Sequence, residues 1–138
     1  MALHDDSPSQ HERLLEQVSE FPGRYFVYLV ELMVDEYRDH FRMYYPTKWR
    51  NPYKIGYSKD IAGRIKQLET GSPFNIELKA VIICSNQLDA AHVEILLHNL
   101  GKELGHHWNR EWFNCGIIKE FNRLQQARKR SKRGYRQR

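Results

Sequence analysis

Residues 53–71, YKIGYSKDIAGRIKQLETG, change from a strand pattern to a helix pattern within a few positions, and that change limits the fold more than any other stretch. The run PYKIGYS is short, aromatic and β-branched, as a strand should be. Asp60 is a residue type that caps helices by accepting a backbone N–H. After it, IAGRIKQLE sets Ile61, Ile65 and Leu68 on one face and stops at Gly71, a residue suited to closing a helix. A strand feeding straight into an amphipathic helix calls for a sheet with helices packed on it. Arg64 lies inside that helix, and the pattern alone leaves it either a solvated helix residue or a group aimed at a ligand.

The flanking segments complete the frame. RYFVYLVELMV predicts a first strand from about Tyr25 to Val34, NIELKAVIIC a buried third strand, and LDAAHVEILLHNLGKEL a second helix with Val93, Leu96, Leu97, Leu100 and Leu104 as its core stripe. A third helix is expected over about Ile117 to Ala127, leading into a basic tail. Upstream, Ser9 followed three positions later by Glu12 forms a capping box that opens a short helix carrying Leu14, Leu15 and Val18. The order β, β, α, β, α, α predicts a small single α/β domain around a three-stranded, mostly antiparallel sheet flanked by helices. The expected division is an N-terminal appendage over 1–23, the domain proper over 24–126, and a basic C-terminal tail over 127–138.

Residues 35–52, DEYRDHFRMYYPTKWRNP, are too long for a tight turn and mix aromatics with Arg38, Arg42, Lys48 and Arg50. Such a loop either binds unpaired bases and phosphates or closes over its own core. The net charge of +5 is unevenly spread: residues 119–138 hold nine Lys/Arg and one acid, whereas residues 1–118 hold thirteen Lys/Arg and sixteen acids. The cations Arg128, Lys129, Arg130, Lys132 and Arg133 therefore make either a solvated end or an arm for a polyanion. With Arg42, Lys48 and Arg50 they form the candidate nucleic-acid-binding set, DNA ahead of RNA. Two cysteines 31 positions apart, Cys84 and Cys115, read as reduced thiols and favour the cytoplasm. No run approaches the length of a membrane span, and the start lacks the features of a signal peptide. His92, His98, His106, His107 and Cys115 match no common zinc spacing.

Taken in order, FVYLV, then YKIG with Arg64 eight residues after Gly56, then VEILLH, then EWFN resemble the GIY-YIG nuclease superfamily, in the branch that reads Tyr-Lys-Ile-Gly at its second motif. The resemblance covers roughly residues 24–118. It implies a metal-dependent endonuclease cutting phosphodiester bonds in DNA with one divalent ion, Mg²⁺ or Mn²⁺. It also implies site residues. Tyr28 matches the tyrosine of the first motif, Arg64 the arginine of the first helix, Glu94 the metal-binding glutamate and Asn114 the late asparagine. Two positions depart from the pattern: Phe26 replaces a glycine, and Lys54 stands where the second motif has its tyrosine.

Phosphodiester hydrolysis needs a deprotonated water and neutralisation of the charge that builds on the phosphoryl oxygens. Arg64 offers a permanently charged planar fork, and Glu94 one carboxylate for an ion that commonly uses one or two together with waters and substrate phosphate. Tyr28 is the candidate proton acceptor with Lys54 beside it, or Lys54 is itself the base. His98, one turn after Glu94, is a supporting donor, a substrate contact or a core histidine. Glu111 is a second acid near the metal or an ion-pair partner. A binding module that kept the fold without turnover is the alternative to an enzyme, and the oligomeric state stays open.

Overall fold

The computed structural model describes residues 8–34, 51–109 and 112–136. The loop residues Arg38, Arg42, Lys48 and Arg50 and the acid Glu111 lie outside the described residues, as do the side chains of Lys132 and Arg133. In chain order the elements are α1 (Gln10–Ser19), β1 (Tyr25–Leu32), β2 (Tyr53–Ser58), α2 (Ile61–Thr70), β3 (Ile76–Cys84), α3 (Gln87–Glu103), β4 (His107–Asn109), β5 (Trp112–Phe113) and α4 (Ile117–Arg136).

The α/β reading holds, with more strands than expected. Among the described residues the sheet has five strands in the order β3-β1-β2-β5-β4, all neighbours antiparallel. The extra two are only three and two residues long, too short to carry an alternating pattern of their own. Strand β1 lies between the other two long strands, β3 and β2, and its side chains alternate between two cores. Val27 and Leu29 pack with Ala90, Val93 and Leu97 of α3 and Ile117 and Phe121 of α4, while Phe26, Tyr28 and Val30 pack with Ile61 and Ile65 of α2.

Helix α1 is a packed layer rather than a free appendage. Ser9 caps it, accepting from the Glu12 amide at 3.2 Å, and Leu14, Leu15 and Val18 join the second core. It also serves the outer edge of β3: the Leu78 amide donates to His11 Nδ1 at 2.8 Å, and Gln10 Nε2 donates to the Lys79 carbonyl at 3.1 Å. Lys79 is an extra residue in the β1–β3 pairing, where the register shifts between Leu29 and Val30, so the strand bulges there. Burial works to lower the Lys79 ammonium, but bonds to Glu31 and Glu77 outweigh it and leave it above its ordinary value.

Two expectations about the helices need correction. On α3 the buried residues are Ala90, Val93, Leu97 and Gly101, while Leu96 and Leu104 are exposed along with Leu88 and Ile95. The helix is apolar on more than one side, so periodicity could not say which stripe meets the sheet. The supposed tail from 127 is helical as far as Arg136, continuing α4. Alanine, lysine, arginine and glutamine are strong helix formers, and cations are favoured near a helix C-terminus. Among the described residues no helix is long and apolar enough to cross a membrane.

Candidate active-site cleft

Strand β2 pairs with β5 only at Tyr53 and Lys54, so among the described residues its outer edge is unpaired from Ile55 onward. A cleft of about 540 Å³ opens there, walled by Tyr28, Lys54, Gly56, Tyr57, Arg64 and Glu94, with Ser58, Asp60 and Gln67 at its margin. Helix α2 supplies one side and α3 the other, and the β2 edge runs between them.

Tyr28 and Gly56 are register partners on β1 and β2. The tyrosine is 1% exposed, yet its hydroxyl reaches the cleft because its ring crosses the bare Cα of Gly56. A methyl group built on Gly56 would overlap the Tyr28 hydroxyl and ring carbons. The glycine of the YKIG run is therefore there for close approach, with no unusual backbone angle required. Lys54 is two residues from Gly56 on β2, hence on the same face as Tyr28. Its ammonium lies 5.7 Å from the centroid of Trp112, its partner on β5.

Arg64 lies one turn into α2. Asp60 caps that helix by accepting from the Gly63 amide at 3.0 Å, and a Cβ at Gly63 would collide with the Asp60 carboxylate. The glycine that weakens the helix pattern thus makes room for the cap. Arg64 Nε donates to the Tyr28 hydroxyl at 3.3 Å and its NH1 to Gln67 Oε1 at 3.2 Å, which holds the guanidinium at the cleft wall. Its residue surface remains exposed. Arginine and tyrosine, 36 positions apart, meet because β1 and α2 share one face of the sheet.

Glu94 comes from α3 on the other side, partly exposed at 28% of its side-chain surface. His98 Nε2 is 4.0 Å from Glu94 Oε1 and 3.2 Å from the Ile55 carbonyl on the unpaired edge. The ring of His98 stands edge-on to Phe113, centroids 5.1 Å apart. His98 is therefore pinned between the strand edge and the core, beside Glu94, and does not line the cleft.

Of the residues anticipated from sequence, Tyr28, Lys54, Arg64 and Glu94 meet in this cleft, and Asn114 does not. The Asn114 side chain accepts from the Gly116 amide at 2.9 Å and its carbonyl from the Ile117 amide, so it opens α4. Arg128 grips Asp89 through both terminal guanidinium nitrogens, Nη2 at 2.8 Å and Nη1 at 3.3 Å, which ties α4 to the first turn of α3. Partial burial works to raise the Asp89 carboxyl, but the bonds from Arg128 and Ser85 outweigh it and hold it below the ordinary carboxylate value. Lys129 and Arg130 remain exposed on α4. Tyr57 is only half-buried and borders the cleft, whereas Tyr53, on the same strand, is buried. Gln67 was missed, and its position three residues after Arg64 on a helix was the available signal.

The cleft's ligand atoms suit a hard cation: the Glu94 carboxylate, with the Asp60 carboxylate and Ser58 hydroxyl at the margin. Among the described residues no three of His, Cys, Asp and Glu gather as a closed cage. An ion taking one or two carboxylates and completing its shell with waters and phosphate fits such a donor set; one needing four protein ligands does not.

The model of the T5orf172 domain matches residues 26–132, which takes in β1 through most of α4 and every wall of the cleft. No curated protein and no solved structure matches the chain significantly.

Proposed function

The chain belongs to the T5orf172 domain family, a domain related to GIY-YIG/HNH-like nuclease-type domains, and we propose that it is a metal-dependent endonuclease of GIY-YIG type that hydrolyses phosphodiester bonds in DNA. The observation that carries this reading is the convergence of Tyr28, Lys54, Arg64 and Glu94 from four elements on one cleft at an unpaired strand edge.

The chemistry follows from what each group can do. Arg64, steadied by Tyr28 and Gln67, binds the phosphoryl oxygens and neutralises charge as it builds there. Lys54 adds a second positive charge on the same side of the sheet. The Tyr28 oxygen already accepts from Arg64, so its own O–H can point into the cleft. It passes a proton between the attacking water and its surroundings. Glu94 would hold Mg²⁺ or Mn²⁺, which would supply Lewis-acid neutralisation beyond what two side-chain cations provide. His98, held at the Ile55 carbonyl, stands one turn along α3 beside Glu94.

The test is cleavage of single-stranded and duplex DNA by purified protein with Mg²⁺, with Mn²⁺ and with chelator. Products that require the ion, and that disappear in Glu94→Gln while binding persists, are the expected result. Equal binding with no products under any condition would instead favour the non-catalytic nucleic-acid-binding module, the reading kept alive by Lys54 at the second tyrosine position and Phe26 at a glycine position.

A further inference from the structure

Beside the cleft, at the end of the sheet where β1 begins and β2 finishes, stand two tyrosines that the chemistry above does not use. Tyr57 borders the cleft and Tyr25 lies beyond it, their ring centroids 6.4 Å apart and their planes tilted by 53°. Both are half-buried, packed on one side against the core that includes Val27 and Ile82. The Lys59 ammonium stands 6.0 Å from the Tyr25 centroid, and Lys59 is exposed.

We propose that Tyr57, Tyr25 and Lys59 form a subsite for unpaired nucleotides leading out of the cleft, so that the substrate this site selects is a single-stranded nucleic acid or a single-stranded segment next to the scissile bond. The proposal rests on the nuclease reading for the direction of the strand, but not for its binding. Bases in a duplex strand stack in parallel about 3.4 Å apart and bury their faces against one another. Two ring platforms 6.4 Å apart and tilted by 53° cannot match that spacing. They suit bases already unstacked, each of which presents a π-face to an aromatic ring whatever its identity. Lys59 supplies the cation that such platforms place near the backbone phosphates.

Fluorescence anisotropy tests this with a short labelled oligothymidylate and with its duplex on oligoadenylate, in chelator so that neither is cut. The wild-type protein should bind the single strand at least tenfold more tightly. Tyr25→Leu and Tyr57→Leu keep an apolar side chain for the core but remove the ring. Each should lower single-strand affinity about fivefold or more, the effect of one stacked base, and Tyr25→Leu, outside the cleft, should leave duplex affinity near its starting value. Tyr25→Trp, which keeps a π-face, should retain the preference; thermal melts check that each variant is folded. Duplex binding as tight as single-strand binding, or leucine variants that keep the full preference, would overturn the subsite. A Mg²⁺ arm separates the two readings: single-strand preference without cleavage overturns the nuclease and supports the subsite, whereas cleavage without preference does the opposite.

Discussion

The two long-strand edges of the sheet are treated in opposite ways. At β3 the outward backbone groups are taken by helix side chains: His11 and Gln10 of α1 serve Leu78 and Lys79, and Gln125 of α4 donates to the Val81 carbonyl at 2.8 Å. At β2 the short strand β5 stops after two pairs, and beyond it, among the described residues, His98 meets an edge carbonyl, that of Ile55. An unpaired edge invites another strand, and covering it is the usual remedy. The covered edge makes a stable body, while the open one, walled by α2 and α3, makes a cleft whose backbone and side-chain groups stay available to a ligand.

If that division is functional, substitutions at the open edge should act mainly on turnover and those at the closed edge mainly on stability. The largest effect is expected from Arg64→Ala, which should slow single-turnover cleavage by about 100-fold to 1000-fold with circular dichroism unchanged. A near-normal rate would make the open edge as inert as the covered one. Next comes Gly56→Ala, where the added methyl group must displace the Tyr28 ring or part the strands. Urea unfolding should report a loss of about 1–3 kcal/mol together with impaired cleavage. An unchanged midpoint would show that the ring crosses the strand with room to spare.

At the closed edge, His11→Leu leaves the Leu78 amide without its acceptor and should cost about 1 kcal/mol in the same unfolding experiment, with the cleavage rate untouched. A large loss of activity would mean that the two edges are coupled. The smallest effect belongs to Asp89, whose ion pair with Arg128 is partly exposed and should contribute about 0.5 kcal/mol. Its carboxyl is held below the ordinary value, so the contribution is complete above the unfolded value near ~4 and is lost as pH falls through the folded one. The stability gap between wild type and Asp89→Asn should therefore be present at neutral pH and close in acid. A gap that widens in acid would reverse the sign of the linkage.

Local signals in the chain were enough for several elements and failed at others for a physical reason. The Asp60 cap, the apolar face of Ile61 and Ile65 and the closing Gly71 placed α2 correctly because caps and helical periodicity act within a few residues. Ser9 at the head of α1 was legible for the same reason. The strands β4 and β5 were not, since two or three residues acquire strand geometry only by pairing with β2. Leu96 looked like core on α3 and is exposed, because a helix apolar on several sides has its orientation chosen by the sheet beneath it.

The same line runs through the cleft. Side-chain identity alone supplies the chemistry on offer: a permanent planar cation at Arg64, one carboxylate at Glu94, a phenol at Tyr28, and an amine at Lys54 where the second GIY-YIG motif, which this run resembles, has a phenol. Tertiary structure decided which of them meet. The β1–β2 register laid Tyr28 across Gly56, the packing of α2 on that face brought Arg64 to its hydroxyl, and the turn before α4 took Asn114 away. Residue type sets what a group can bind or ionise, and that is carried in each side chain. Proximity across 36 residues is bought only by burying two elements in one core, a property of the whole chain.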